Sequence, residues 1–385
     1  GNDVLGYRDS NTEWLGYDNG LRALHAGVLE ATDYATSLTI CEPRIADICT
    51  HPGVAAAYAM AFKPDYDTQD ISADPDVGVD FDFGDRIELK DGELGYHLAG
   101  GYSRGTDDRG PAQLRDPTDL SGGYSRSKDT VTVTGYGVIG YEYGAGNEVL
   151  SKTTLLRSTE DVTRRSIAID SEDVDVDTTI LEYVQRQLFS QVFTGVNEFQ
   201  GFGVDGVVNW RVGYAETDRL EPDRRTFMLR NGSLSTTSVE RRWSDLNETS
   251  SDIGVDYAGT LDWGSSNTST VLLGAMWSDK ERTVDLYRFG IRQGDARNIS
   301  LIPIDGVDQL LAVESFAADY FRLRPSTTPT DSYVSTEELF AYYAALRSDF
   351  GSDWSVEVGG RFESFTQSLF YPNDVVASDF GAGLE

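Results

Sequence analysis

Three histidines, His25, His51 and His97, are the side chains of this sequence whose ordinary pKa suits acid–base chemistry near neutral pH. His97 sits on the polar side of an extended stretch that also carries Asp80 and Asp82. An imidazole beside carboxylates is only part of a hydrolytic site, which needs a nucleophile within hydrogen-bond reach. A polar hydrogen-bond network accounts for His97 more simply, and no catalytic residue is assigned. Asp173-Val174-Asp175-Val176-Asp177 offers hard oxygen ligands at alternate positions. It lacks the glycine and distal glutamate of a calcium-binding EF-hand loop, so it reads as an acidic loop and no metal site is expected. Cys41 and Cys49, in CEPRIADIC, do not have the CxxC spacing of a zinc site. A local loop disulfide fits them better and implies an oxidising compartment. Asn231, Asn247, Asn267 and Asn298 stand in N-x-S/T sequons, a weak motif outside a eukaryotic secretory context. No GxGxxG, P-loop or HExxH sequence occurs, and no cofactor is expected.

The elements that must position such residues are strands. From Val77 to Leu89, Val77, Val79, Phe81, Phe83, Ile87 and Leu89 share one parity, and Asp80, Asp82, Arg86 and Glu88 the other. Side chains of a strand alternate between faces, so this predicts one apolar and one polar face. A four-residue turn over Lys90–Glu93 and a return through Leu94, Tyr96, Leu98 and Tyr102 complete a hairpin. The pattern recurs over 131–157, 180–215 (turning at Gln200–Gly203), 253–277 and 338–363. Residues 1–74 read as a long folded loop, with a short helix expected over 54–62. Loops are also expected over 104–129 and 158–179, a loop or strand extension over 216–251, and the longest irregular segment over 278–336.

Tight turns therefore alternate with long connections. Compact soluble domains seldom tolerate several connections beyond ~12–15 residues, whereas outer-membrane barrels alternate short turns with long loops. Each apolar segment has about the 9–11 residues a tilted strand needs to cross a bilayer. No stretch approaches the ~18 apolar residues of a membrane-spanning helix. The 20 Tyr, 17 Phe and 6 Trp, many near strand ends, suit interfacial girdles. The expected fold is all-β, an antiparallel transmembrane β-barrel of outer-membrane type. A soluble β-sandwich is the competing architecture. A formal net charge of -32 argues against nucleic acid as a partner and fits solvated acidic loops.

Several segments also resemble the TonB-dependent outer-membrane receptors. Glu13-Trp14-Leu15-Gly16-Tyr17-Asp18-Asn19-Gly20-Leu21-Arg22 is similar to their D-W-L-G-F-D-D-G-x-R segment, with Glu13, Tyr17 and Asn19 as mild departures. Asn209-Trp210 followed by Glu221-Pro222-Asp223-Arg224-Arg225 resembles their N-W…E-P-D-x-R strand and loop. Arg241-Arg242-Trp243 to Glu248, then Glu337 to Tyr343 and Val358 to Glu363, follow in the family's order. The resemblance spans nearly the whole chain. It implies a twenty-two-stranded barrel around an N-terminal plug, of which residues 1–385 are expected to be a partial barrel domain without the plug. Residues 1–74 would then be an extracellular loop region and 75–385 barrel hairpins and loops, ten strands in all. Ten strands alone would leave two unpaired edges, which a bilayer does not tolerate. The implied activity is uptake of a scarce nutrient such as a siderophore, vitamin or glycan. The implied partners are the TonB complex and outer-membrane lipid, and the implied location is the bacterial outer membrane. Ligand contacts are expected in the loops, at Trp14, Tyr17, Asp18 and Arg22, at Glu221, Asp223 and Arg224, and at Tyr287 and Arg292. A passive porin-like channel is the alternative, and a barrel enzyme a further one.

Overall fold

The computed structural model describes residues 3–6, 12–24, 64–115, 121–170, 172–201, 204–263, 267–296, 299–351 and 353–372. The structure is all-β, built on one twelve-stranded antiparallel sheet. A small separate sheet pairs β1 (Asp3–Gly6) with β2 (Gln69–Ser72). The large sheet contains β3 (Val77–Leu89), β4 (Gly92–Arg115), β5 (Ser121–Tyr143), β6 (Asn147–Ile169), β7 (Asp175–Gly201) and β8 (Val204–Arg230). It continues with β9 (Ser233–Leu234), β10 (Glu240–Asp262), β11 (Asn267–Gln293), β12 (Phe321–Pro325), β13 (Tyr333–Phe350) and β14 (Trp354–Phe370). Its path runs β14-β13-β11-β10-β8-β7-β6-β5-β4-β3, with β9 beside β8 and β12 beside β11. All ten strands of the expected hairpins lie on this path.

Two sequence expectations need correction. The first turn is Lys90-Asp91 rather than Lys90–Glu93, because Leu89 already pairs with Gly92 and Glu88 with Glu93. A two-residue connection matches the twist of the strands it joins. The segments 104–129 and 158–179, expected as loops, are mostly strand, as is 216–251, read as a loop or strand extension, and 278–293 of the expected irregular segment continues β11. Their alternation is one of charge, which an apolar period cannot reveal. Arg104 meets Asp129 at 2.8 Å, Lys128 meets Glu160 at 3.0 Å, and Arg165 meets Asp177 at 2.6 Å, each pair bridging neighbouring strands. Exposed pairs of this kind contribute ~0–1 kcal/mol apiece, and the backbone ladder supplies the rest. The turn residues 202–203 and 264–266, the helix expected over 54–62, and Cys41, Cys49, His25, His51 and Asn298 lie outside the described residues.

One face of the sheet is apolar and exposed near the short turns. It carries Val79, Phe81 and Phe83 on β3, Val212 and Tyr214 on β8, Ile253 and Val255 on β10, and Phe340 and Tyr342 on β13, all exposed. At the other end of the strands the same face is covered. There the connection from β11 to β12 folds back as α1 (Val307–Leu310) and α2 (Val313–Ala317). Tyr66, Phe227, Ile291, Leu310, Phe316 and Phe321 form the core beneath it, with Phe321 fully buried. Asp67 holds the start of α1, its carboxylate accepting from the Val307 N–H at 2.9 Å and the Asp308 N–H at 3.0 Å.

Phe321→Ala should cost this satellite core about 3–5 kcal/mol. The expected result is faster proteolysis of the segment 299–325, with hydrogen exchange of β7 and β8 unchanged.

Candidate functional site

The sequence-expected ligand residues come together around the covered end of the sheet, most of them on the apolar side. In the segment 12–24, a 3-10 turn over Glu13–Leu15 ends at Gly16, whose φ of 75° is the left-handed conformation glycine accepts without strain. The Gly16 carbonyl accepts from the Thr159 hydroxyl at 2.8 Å, which pins the turn to β6. Asp18 organises the next turn by accepting from the Gly20 N–H at 2.9 Å. Arg22 then reaches the sheet and is 2% exposed. Its guanidinium meets Glu13 at 2.6 Å, Asp18 at 3.1 Å and Asp161 at 3.0 Å, and lies 4.4 Å from the Tyr183 ring centre. Burial pushes the Tyr183 phenol well up, more than the Arg22 charge lowers it.

Glu221 pairs with Ser244 at the edge of a β-bulge where β8 meets β10, and Asp223 lies within it, before Arg224 pairs with Arg242. Asp223 adopts φ 56°, a strained conformation for a residue with a side chain, and its partners hold it there. The Asp223 carboxylate takes Arg225 at 2.5 Å and also Arg241, and all three are buried. The Arg225 guanidinium also donates to the Asp65 carbonyl. Arg241 lies 5.7 Å from the Tyr66 ring centre and 5.3 Å from that of Trp243. Burial alone would raise the Asp223 pKa, but Arg241 and Arg225 outweigh it and hold the carboxyl below its usual range. Glu221, on the polar side of the bulge, is 1% exposed and binds Arg219 at 2.9 Å and Arg242 at 2.6 Å. Arg224 stands further off, 3.8 Å from Glu221 and 3.9 Å from Glu182.

One hydrogen bond joins the two motifs, from the Trp243 indole N–H to the Arg22 carbonyl at 2.8 Å. Segments some two hundred residues apart in sequence thus meet on β10. Asp18, Arg22, Glu221 and Asp223 are engaged by the chain's own partners, so their role in this structure is to fasten segments to the sheet. Trp14 and Tyr17 are different, at 54% and 47% exposed. The Arg157 guanidinium covers one side of the Tyr17 ring at 3.4 Å, and the Tyr102 hydroxyl donates to the Trp14 carbonyl at 2.6 Å. Tyr287 packs beside Trp243 and Phe289, and Arg292 is exposed on β11 opposite Arg322. Of the expected contacts, Trp14, Tyr17 and Arg292 are therefore the surface ones.

His97 bonds Asp82 at 2.8 Å and has Tyr136 as its ring neighbour, on the polar face, as a hydrogen-bond network would place it. Asp177 pairs with Arg165, and the Asp175 N–H donates to Asn231 at 3.1 Å; no metal-binding cluster occurs among the described residues. Sequence reasoning missed Arg241, Tyr66, Asp161 and Tyr183. The run Arg241-Arg242-Trp243 was the available signal, since two adjacent cations on alternating faces each require a counter-charge. No protein-family model matches the chain, and a search of curated proteins finds no significant match.

Asp223→Asn removes the carboxylate shared by two buried guanidinia, a change expected to cost about 3–5 kcal/mol. Because the folded-state pKa is depressed, the wild-type contribution is present above the ordinary carboxylate value of about 3.9 and is lost as pH falls through the folded pKa. Proteolysis of the segment 64–68 against pH should show wild type resistant at pH 5 and opening only below about pH 4. The variant should be open across that range.

Proposed function

We propose that this chain is barrel wall of a TonB-dependent receptor in a bacterial outer membrane, importing a scarce small molecule such as a siderophore, vitamin or glycan. The observation that carries the reading is the direction of the exposed apolar band. Directly paired residues form a row perpendicular to the strands: Glu338, Asp279, Ser251, Tyr214, Gln191, Thr153, Gly137, Leu98 and Phe83. The row begins among carboxylates, beyond the band. It ends at Phe83, in the middle of an apolar strand. The band is therefore oblique to the perpendicular, as required when tilted strands cross a slab of fixed orientation.

Its extent agrees. On β10 the apolar side chains run from Ile253 to Leu261, and on β11 from Val271 to Trp277. At ~3.4 Å per residue and a tilt near 40°, the β10 run rises about 21 Å and the β11 run about 16 Å, the same order as the ~25 Å apolar band of outer-membrane barrels. Aromatic pairs mark the short-turn margin: Tyr141 stacks on Tyr143 at 5.5 Å, Phe199 on Tyr257 at 5.9 Å, and Trp263 meets Phe350 edge-on at 5.7 Å. The opposite face is polar. It holds a cavity of about 460 Å³ lined by Arg211, Asp256, Tyr343 and Arg361, in keeping with a lumen wall. The two-residue and three-residue turns would face the periplasm, and the covered ends of the strands the exterior. Active uptake and the TonB complex as partner rest on the sequence resemblance.

Leu273→Arg places a cation in the band and should cost about 2–4 kcal/mol of stability in lipid vesicles. Glu281→Arg, on the same face beyond the band, should cost little. In a protein whose exposed Leu273 faced water, the first change would fall within about 0.5 kcal/mol, which would refute the membrane reading. In cells, accumulation of the imported molecule should stop when the proton-motive force is dissipated. Continued accumulation would favour a porin-like channel.

A further inference from the structure

Two sets of directly opposed arginines stand on the polar face near the covered end of the strands. Arg109, Arg126 and Arg164 line up across β4, β5 and β6, and Arg224, Arg242 and Arg288 across β8, β10 and β11. Residues directly opposite in an antiparallel pair point to the same side, with Cβ atoms about 4.5–5.5 Å apart, and like charges there repel. Counter-charge is not scarce, since the chain has 64 acidic residues against 32 basic ones.

The second set uses it. Arg242 has Glu221 at 2.6 Å, Arg224 lies 3.8 Å from Glu221, and Arg288 pairs with Asp331. In the first set only Arg109 does. Arg109 meets Asp107 at 3.1 Å on the exposed edge, while Arg126 and Arg164 have no carboxylate partner among the described residues. Lys128, one pleat away, is already held by Glu160 at 3.0 Å. Tyr124 flanks the pair, its ring centre 6.0 Å from the Arg164 guanidinium carbon. The Nε atoms of Arg126 and Arg164 are buried without an acceptor, as are those of Arg224, Arg242 and Arg288, so the difference between the two sets lies in the carboxylate partners alone. Two adjacent guanidinia held side by side, with no acid between them, leave an unmet demand for negative charge.

We propose that Arg126 and Arg164, with Arg109 at the edge, bind a small polyanion bearing at least two phosphate or carboxylate groups. The spacing supports more than one anionic group, because neighbouring guanidinia are separated by about one strand spacing, ~4.8 Å. The planar guanidinium forks suit bidentate contact with oxyanions, a geometry lysine does not reproduce. Tyr124 would wall the site on one side. This adds a ligand class to the receptor reading and rests on it only for the side of the membrane on which the site opens.

The test is calorimetric titration of the full chain in detergent micelles with tripolyphosphate, and separately with citrate, at constant ionic strength. Binding of tripolyphosphate alone assigns the phosphate source, and binding of citrate alone the carboxylate source. Arg126→Gln/Arg164→Gln should weaken binding at least tenfold, and Arg164→Lys, which keeps the charge, should weaken it several-fold. Without ligand the double variant should melt no lower than wild type, since a repulsion has been removed. Should it fail to fold, Arg126→Lys/Arg164→Lys carries the same test. Unchanged affinity in these variants overturns the proposal, as does a wild-type heat that equal sodium chloride reproduces. Lost binding with normal insertion into vesicles refutes the anion site alone. Retained binding with failed insertion refutes the membrane reading and leaves the site standing.

Discussion

A strand places successive side chains on opposite faces, and most major strands of this sheet near their short turns use that period to gather aliphatic and aromatic groups on one face. Contiguous exposed apolar surface of this extent is rare in water, where each Å² costs on the order of 25 cal/mol. The same exposure costs nothing against hydrocarbon. Under the membrane reading proposed above, the architecture depends on this one condition. It requires an unbroken backbone ladder, because unpaired amides are as unfavourable in hydrocarbon as charges are in a core. It also places charged residues on the opposite face, where Arg211 meets Asp252 at 2.7 Å and Asp256 accepts from the Tyr343 hydroxyl at 2.7 Å.

Beyond the band the chemistry changes while the strands continue. There the sheet is held by ion pairs, and Glu160 alone serves Lys128 on one side and Arg186 on the other, each at 3.0 Å. The Glu160 carboxyl is held low because those two cations outweigh its burial. Three carboxylate–arginine networks, centred on Arg22, Glu221 and Asp223, then fasten the irregular segments to the strand ends. Buried pairs of this kind contribute less to net stability than to fixing one arrangement, since either partner left alone is costly. The strained backbone of Asp223 fits that role: it turns one carboxylate toward two arginines at the bulge.

The apolar part of the fold was legible in the sequence because its signal is a period of two. Val77 to Leu89 and Ile253 to Leu261 are strands on the faces their parity predicts. The strand extensions were hardly legible, only 216–251 being open to that reading beside a loop. Segments such as Arg104–Asp108 and Glu216–Arg219 alternate charges of both signs, and pairing across strands exists only once the partner strand is in place. The candidate site was half legible. The motifs at Trp14–Arg22 and Glu221–Arg225 do converge, through Trp243, but a motif does not say whether its polar groups turn outward or inward. Arg22 and Asp223 turn inward. The arginine ladder was invisible for another reason: Arg109, Arg126 and Arg164 become neighbours only through the register of β4, β5 and β6.

The most direct measurement is a nitroxide scan along β10, from Asp245 to Asp262, in lipid vesicles, comparing collision with oxygen and with a water-soluble nickel chelate. The account predicts oxygen accessibility with a period of two at Ile253, Val255, Tyr257 and Leu261. It predicts that this signal gives way to the chelate at Ser251 and beyond. Chelate accessibility at Ile253, Val255 and Tyr257 equal to that at Ser251 would contradict it, because the apolar face would then lie in water.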